Sequence, residues 1–297
     1  MSFMTYPMND DKKRIRQHFG ARAEGYESSA ILQREVCTRM LDRLDWVKLK
    51  PDIILDVGSG TGWGVQGLIE KYSSAKVIAL DLSLPMLQQA RNKGRWLRKP
   101  GLVCADAEAL PLADQSVDLI FSSLMLQWCD PQIVFNEFLR VLKPGGLLMF
   151  ATFGPDTLKE LRHCWAQLDQ AHHVNSFVDM HDLGDNLLHS GFAEPVMDMD
   201  MMRLTYQHAR TVMTDLKAIG ANTTLQGQYR GLLTPGKLQR VLDAYENFRH
   251  EGMLPASFEV IYGHGWKPIE PMRQRQSSAL GANEYRVSLD SLTKIDK

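Results

Sequence analysis

The sequence predicts a doubly wound α/β protein, and two observations carry that expectation. Between residues 51 and 153, short apolar runs alternate with stretches of helical periodicity. The runs at 53–57, 76–80, 102–105, 117–122 and 147–152 also lack the polar alternation of a half-exposed strand, which suits parallel strands covered on both faces.

The elements follow in order. Between the fourth and fifth runs, Val134, Phe138, Val141 and Leu142 recur at helical spacing, and Lys143-Pro144-Gly145-Gly146 supplies a stop signal, completing a repeated βαβ unit. Residues 10–48 read as helical, with an apolar stripe of Ile31, Val36, Met40, Leu41 and Leu44. Beyond the fifth run, 157–170 and 179–190 read as helices, and Gly191 leads into a strand-like stretch ending near Leu204. Residues 208–250 are helical in pattern, broken at Gly220, Gly227, Gly231 and Pro235-Gly236. Phe258, Val260 and Tyr262 alternate with other residues as a last strand. The expected organisation is a helical cap over 1–50, a ligand-binding domain over 51–204 and 256–267, a helical lid insert over 205–255 and a mobile tail over 268–297.

Composition narrows the function. The 34 basic and 35 acidic residues nearly cancel, so the overall charge argues for neither a nucleic-acid nor a membrane partner. Cys37, Cys104, Cys129 and Cys164 show no Cys-x-x-Cys spacing and read as reduced thiols. Lys12, Lys13, Arg14 and Arg16 are followed by polar residues instead of a signal-peptide core, and no run reaches the ~20 apolar residues that span a bilayer. A soluble, cytoplasmic protein is expected. None of the nine histidines shows metal spacing, and His172-His173 reads as a surface pair.

The chemistry starts at Asp56-Val57-Gly58-Ser59-Gly60-Thr61-Gly62. Glycines between a strand and a helix let the backbone turn tightly and approach a ligand. A dinucleotide fingerprint would need glycine at position 63, where Trp63 stands. Asp56 at the strand end would repel a phosphate and attract an ammonium or sulfonium centre; S-adenosylmethionine has both cations and no phosphate. Asp81, closing the second strand, stands where an acid accepts from both ribose hydroxyls; the plainer reading is an N-terminal acid for the helix beginning near Pro85. Asp106, after the third strand, is placed to accept from the adenine amino group, or else is a solvated loop acid.

Together, Asp56 to Gly62, Asp81-Leu-Ser83, Asp106-Ala-Glu-Ala-Leu-Pro111 and Leu142-Lys-Pro-Gly-Gly146 resemble the class I S-adenosylmethionine-dependent methyltransferases. That resemblance implies a Rossmann-like, mostly parallel sheet of seven strands with the last antiparallel. It also implies cofactor contacts from Asp56, Gly58, Ser59, Gly60, Gly62, Asp81, Leu82, Met86, Asp106, Ala107 and Leu124. A narrower resemblance, to the malonyl-[acyl-carrier protein] O-methyltransferase family of biotin synthesis, lies in Phe19-Gly-Ala-Arg-Ala-Glu-Gly-Tyr26, Ile31-Leu-Gln33, Leu124-Met-Leu-Gln-Trp-Cys129, Asp156-Thr-Leu-Lys-Glu-Leu161 and Asp215-Leu-Lys-Ala-Ile-Gly-Ala221. Ser59 stands where that family commonly has Cys, and the tail after Pro268 exceeds the usual family end.

The family implies methylation of the free carboxylate of a malonyl thioester, carried by acyl carrier protein or coenzyme A. Such a nucleophile is already an anion at neutral pH, so no general base is assigned. Something must orient it: Tyr26 leads, followed by Gln127 and Trp128. The run Arg91, Lys93, Arg95, Arg98 and Lys99 is either a docking face for an acidic carrier protein or a solvated face. Two alternatives remain at this stage. One is a relative of the mitochondrial complex I assembly methyltransferase-like protein, suggested by Phe153-Gly-Pro-Asp-Thr-Leu158 and Gly265-Trp-Lys267, although that group has His-Trp where Gln127-Trp128 stands here. The other is a cofactor-binding protein without catalysis.

Overall fold

A computed structural model describes residues 10–94, 98–169, 173–218 and 234–269. Three helices come first: α1 (Asp10–Gly20), α2 (Tyr26–Ser29) and α3 (Ile31–Arg43). The alternating part follows as β1 (Ile53–Val57), α4 (Trp63–Lys71), β2 (Lys76–Asp81), α5 (Leu84–Ala90), β3 (Gly101–Cys104), β4 (Val117–Ser123), α6 (Pro131–Val141) and β5 (Leu142–Phe153). Then come α7 (Lys159–Ala166), α8 (Met180–Ser190), β6 (Ala193–Tyr206), α9 (Ala209–Ala218), α10 (Pro235–Tyr245) and β7 (Leu254–Trp266).

The strands form one seven-stranded sheet in the order β3-β2-β1-β4-β5-β7-β6. The pairs from β3 through β5 are parallel, whereas β7 runs antiparallel to both of its neighbours. Successive strand residues face opposite sides, so Ile54 and Leu55 enter different cores. One core holds α3, α4, α7, α9 and α10 against the sheet; the other holds α6 and α8 around Phe135, Phe138 and Phe150. Burial on both faces keeps the runs of β1, β4 and β5 mostly apolar, whereas β3, at the sheet edge, exposes Leu102 and Cys104. The chain leaves β1 to build β2 and β3 on one side, then crosses to build β4 and β5 on the other. The carboxyl ends of β1 and β4 therefore border the crevice where such sheets bind ligands.

Several boundaries differ from expectation for identifiable reasons. Leu142 belongs to β5, not to the preceding helix, and 143–146 are not a loop: α6 runs directly into the strand, and the Pro-Gly-Gly segment is taken up as a register shift opposite β4 between Val117 and Leu119. Helix α7 starts two residues late because the Leu158 amide donates to the Ser257 carbonyl (2.6 Å) and Thr157 Oγ1 to the Glu259 carbonyl (3.1 Å), tying both to β7. Asp179 caps α8 through the His181 amide (2.8 Å), and Gly191 closes it at φ 100°. Ile31 is 57% exposed and leaves the stripe that Val36, Met40 and Leu44 bury. His173 is no surface residue: it stacks on Trp165 at 3.7 Å between centroids and pairs with Asp169. In the insert, α9 packs on β6 and α2, and α10 on α7; the breaks at Gly220, Gly227 and Gly231, and the tail from 270 onward, lie outside the described residues. Among the described residues no helix is long and apolar enough to cross a membrane.

Packing at the β5–β7 pair sets a sharp steric limit. A Cβ on Gly263 would lie 2.3 Å from Phe150 Cζ and 2.9 Å from Met197 Sδ, and the Phe150 ring is itself backed by Phe135 at 5.3 Å. Gly263→Ala is expected to destabilise the fold by about 1–3 kcal/mol, read as a lowered thermal midpoint.

Candidate active site

Construction begins at the β1–α4 turn. The amides of Gly58 and Ser59 both donate to the Leu80 carbonyl (2.8 and 3.0 Å), pulling the glycine loop across the end of β2. Gly58, at φ 72°, passes so close to Met125 that a Cβ would sit 2.4 Å from it. Gly60, at φ 52°, has open space where its Cβ would be and lies on the wall of a cavity. Asp81 straps the loop in place, Oδ2 accepting from the Gly60 amide (2.9 Å) and Oδ1 from the Ser83 amide (2.7 Å). A carboxylate has further lone pairs, so both oxygens can still accept from a ligand. Burial raises the Asp81 pKa to about 6 although both amides act to lower it.

The cavity holds about 680 Å³ of empty space, counted to its open mouth. Of the residues expected there, Gly58, Gly60, Asp81, Leu82, Met86, Asp106 and Ala107 line it, as do Tyr26 and Trp128. Ser59, Gly62 and Leu124 do not. Gly62, at φ 88°, is pressed against Ala90, while Leu124, buried at φ 53°, makes the turn that swings Met125 and Trp128 over the strand ends.

Asp56 is also off the wall, contrary to a direct role in attracting a cation. Its carboxylate turns beneath the loop, takes the Val65 amide at the start of α4, and would lie 2.8 Å from a Cβ on Gly64. Complete burial and the nearby Asp81 push its pKa up to about 8. Asp106 is not a solvated loop acid. Its Oδ1 accepts from the Glu108 amide (3.1 Å) and from Lys12 Nζ (2.9 Å).

Lys12 was not legible as a site residue. Its side chain is 8% exposed, and Nζ lies 3.0 Å from Glu108 Oε1 and 3.3 Å from Cys129 Sγ as well as on Asp106, fastening α1 over the cavity. Burial opposes its charge, but Cys129, Asp106 and Glu108 outweigh that and hold it above the ordinary lysine range. Arg16 and Phe19 reach the same wall one and two turns along α1, a spacing that links them only once the helix is docked. Ser83 also lines the wall, its Oγ buried without a protein partner among the described residues. The unfilled space over Gly60, the open Ser83 hydroxyl and the acceptors on Asp81 and Asp106 together fit a nucleoside with hydroxyl and amino donors.

A second cavity, about 440 Å³ of empty space, shares Phe19, Tyr26 and Trp128 with the first. Phe19 meets Trp128 edge-on at 5.6 Å and Tyr26 at 6.2 Å, so the three rings form the partition. Behind it lie Gln33, Gln127, Phe153, Val174, Asn175 and Phe177, with no charged side chain among the described residues. Gln127 is committed to the protein: Nε2 donates to the Leu124 carbonyl (2.6 Å) and Oε1 accepts from Thr152 (3.3 Å). The basic run is divided, with two of its cations engaged by the protein. Lys93 pairs with Glu27 (2.7 Å), and Arg98 donates to the carbonyls of Ile69 and Tyr72 (3.1 and 2.9 Å), leaving Arg91 and Lys99 exposed and Arg95 outside the described residues.

Comparison with known proteins adds the following. A family profile described as a methyltransferase domain matches residues 55–150. A malonyl-[acyl-carrier protein] O-methyltransferase of Gallionella capsiferriformans is 51% identical, covering 93% of this chain and 98% of that protein. One of Laribacter hongkongensis is 50% identical over 92% and 95%. Among solved structures, Haemonchus contortus phosphoethanolamine N-methyltransferase 2 in complex with S-adenosyl-L-methionine superposes with a TM-score of 0.56 at 16% identity, covering 88% of this chain and 61% of that one. The YcgJ protein of Bacillus subtilis gives 0.54 at 15%, covering 78% and 99%. At such identities these two report on fold alone.

The Asp56 environment yields a stability test. Its folded pKa, about 8, lies above the ordinary value of 3.8. Between these limits the folded state binds the proton and the unfolded state does not, so this group's contribution falls as pH rises from about 4 to 8. Asp56→Asn keeps an acceptor for Val65 and removes the charge. The ligand-free variant should unfold at higher temperature than wild type at pH 8, with the gap closing towards pH 4; a pH-independent or reversed difference would contradict the assignment.

Proposed function

Because this chain belongs to the malonyl-[acyl-carrier protein] O-methyltransferase family, we propose that it transfers a methyl group from S-adenosylmethionine to the free carboxylate of malonyl-[acyl-carrier protein], a step of biotin synthesis. The supporting observation is the pair of cavities meeting at Phe19, Tyr26 and Trp128. One offers acceptors for a nucleoside, and the other is aromatic, uncharged and suited to an acyl end.

Bound S-adenosylmethionine supplies an electrophilic methyl on a sulfonium centre. In our reading Asp81 accepts from the ribose hydroxyls, Asp106 from the adenine amino group, and Gly58 and Gly60 let the backbone come close. Asp56 acts from beneath, holding the loop and α4 together. The aromatic partition faces the sulfonium, where ring faces favour a cation. Tyr26 stays a neutral donor, because burial, with the charge of Asp81, holds its phenol above the ordinary tyrosine value. Its role and that of Trp128 is to orient the acceptor; no side chain needs to take a proton, since the carboxylate arrives ionised. The segment 205–255 acts as a lid through α9, which packs against the helix bearing Tyr26.

Incubation with labelled S-adenosylmethionine and malonyl thioester, carrier-bound or on coenzyme A, should yield an alkali-labile methyl ester with the carrier-bound form preferred. Label appearing only in alkali-stable protein adducts would refute the assignment. Cofactor affinity should fall as pH drops through about 6, because protonated Asp81 loses acceptor capacity. Asp81→Asn should bind on the order of 10–100-fold more weakly at pH 8 and lose that pH step, as titration calorimetry can read. Tyr26→Phe should slow methyl transfer with cofactor affinity unchanged; wild-type turnover would remove Tyr26 from the site.

A further inference from the structure

We propose that the second cavity is the acyl-acceptor site and that Gln33 orients the malonyl carboxylate within it, an inference that rests on the functional reading above. Three amides reach this cavity. Gln127 is committed at both ends. Asn175 is 5% exposed and already engaged. Gln33 differs: its Oε1 is buried, and its amide has no hydrogen-bond partner among the described residues. A buried amide without partners costs stability unless a ligand completes it. Its position is firm, because Leu32 and Val36 on the same helix are anchored in the core. A half-turn about its last side-chain torsion exchanges the oxygen for the NH2 group, so it can present two donors to a carboxylate.

Among the described residues, the lining side chains of this cavity also carry no charge. Transfer joins a carboxylate oxygen to the methyl carbon, breaks the carbon–sulfur bond and leaves a neutral ester and a neutral thioether. The two charges cancel along the way. An arginine beside the carboxylate would stabilise the anion more than the transition state, in which its charge is fading. A neutral amide fixes direction with less of that penalty, and a dry aromatic wall strips water from the nucleophile. The cation that compensates the buried anion would then be the sulfonium itself, where the two cavities meet beside Phe19, Tyr26 and Trp128.

Gln33→Met and Gln33→Glu keep the side chain's length and test the two halves of this idea. With wild type as reference, KM and kcat for malonyl carrier protein would be measured. So would its binding by calorimetry in the presence of S-adenosylhomocysteine. Gln33→Met should raise the acceptor KM and dissociation constant about 10–100-fold, the usual effect of losing a hydrogen bond to a charged group. Gln33→Glu should raise both further by adding a like charge. Affinity for S-adenosylhomocysteine should stay at the wild-type level in both and thereby verify the folded site. Unchanged acceptor binding in either variant overturns the assignment, as does an Arg16→Met variant that raises acceptor KM while Gln33→Met does not. If wild type forms no methyl ester from the malonyl thioester, the functional reading falls and takes this one with it; an active wild type with indifferent Gln33 variants sinks this one alone.

Discussion

Strands β1 and β4 are neighbours in the sheet, yet their following segments depart to opposite sides, and that divergence leaves an opening no connection can cover. Each feature of the site exploits it. The glycine loop crosses the opening from β1, Asp81 reaches in from β2, and Leu124 turns β4 so that Met125 and Trp128 close the far wall. Helix α1 then forms the roof through Lys12. Had the chain continued in one direction, the same residues would lie along a filled edge.

The two cavities divide the electrostatic work. The first carries acids, Asp81 and Asp106, with Asp56 beneath, where hydroxyl, amino and cationic groups are to be held. Among the described residues, the second is lined by rings, amides and Val174. Placing Asp56 and Asp81 at a depth that raises their pKa is costly in the empty protein and favourable once a cation or donor arrives. Binding strength is thereby stored as strain in the ligand-free fold.

What could be read from the sequence follows contact range. Strand β1 was placed to the residue, and Asp81 and the glycine loop were found, because a strand, a turn and a strand-end acid are local patterns. Position on a strand does not reveal which way a side chain turns: the strand-end place of Asp56 suggests a cofactor contact, and its carboxylate turns beneath the loop to the Val65 amide. Lys12 and Gln33 were missed for another reason. Lys12 reads as one cation in a basic run, and it acquires partners 94 and 117 residues away only after α1 docks. Gln33 stands out because its buried Oε1 has no partner among the described residues, a property that no sequence pattern expresses.

Lys12 also bears on exchange. Its ammonium is the buried ionic link between the roof and the floor of the nucleoside cavity, surrounded by Asp106, Glu108 and Cys129. Lifting α1 requires that charge and its acidic partners to be rehydrated together, and it draws Phe19, which lines both cavities, away with the helix. The Lys12 cluster thus fastens a helix that roofs the nucleoside cavity and, through Phe19, walls the acyl cavity, so the two cavities share one closure.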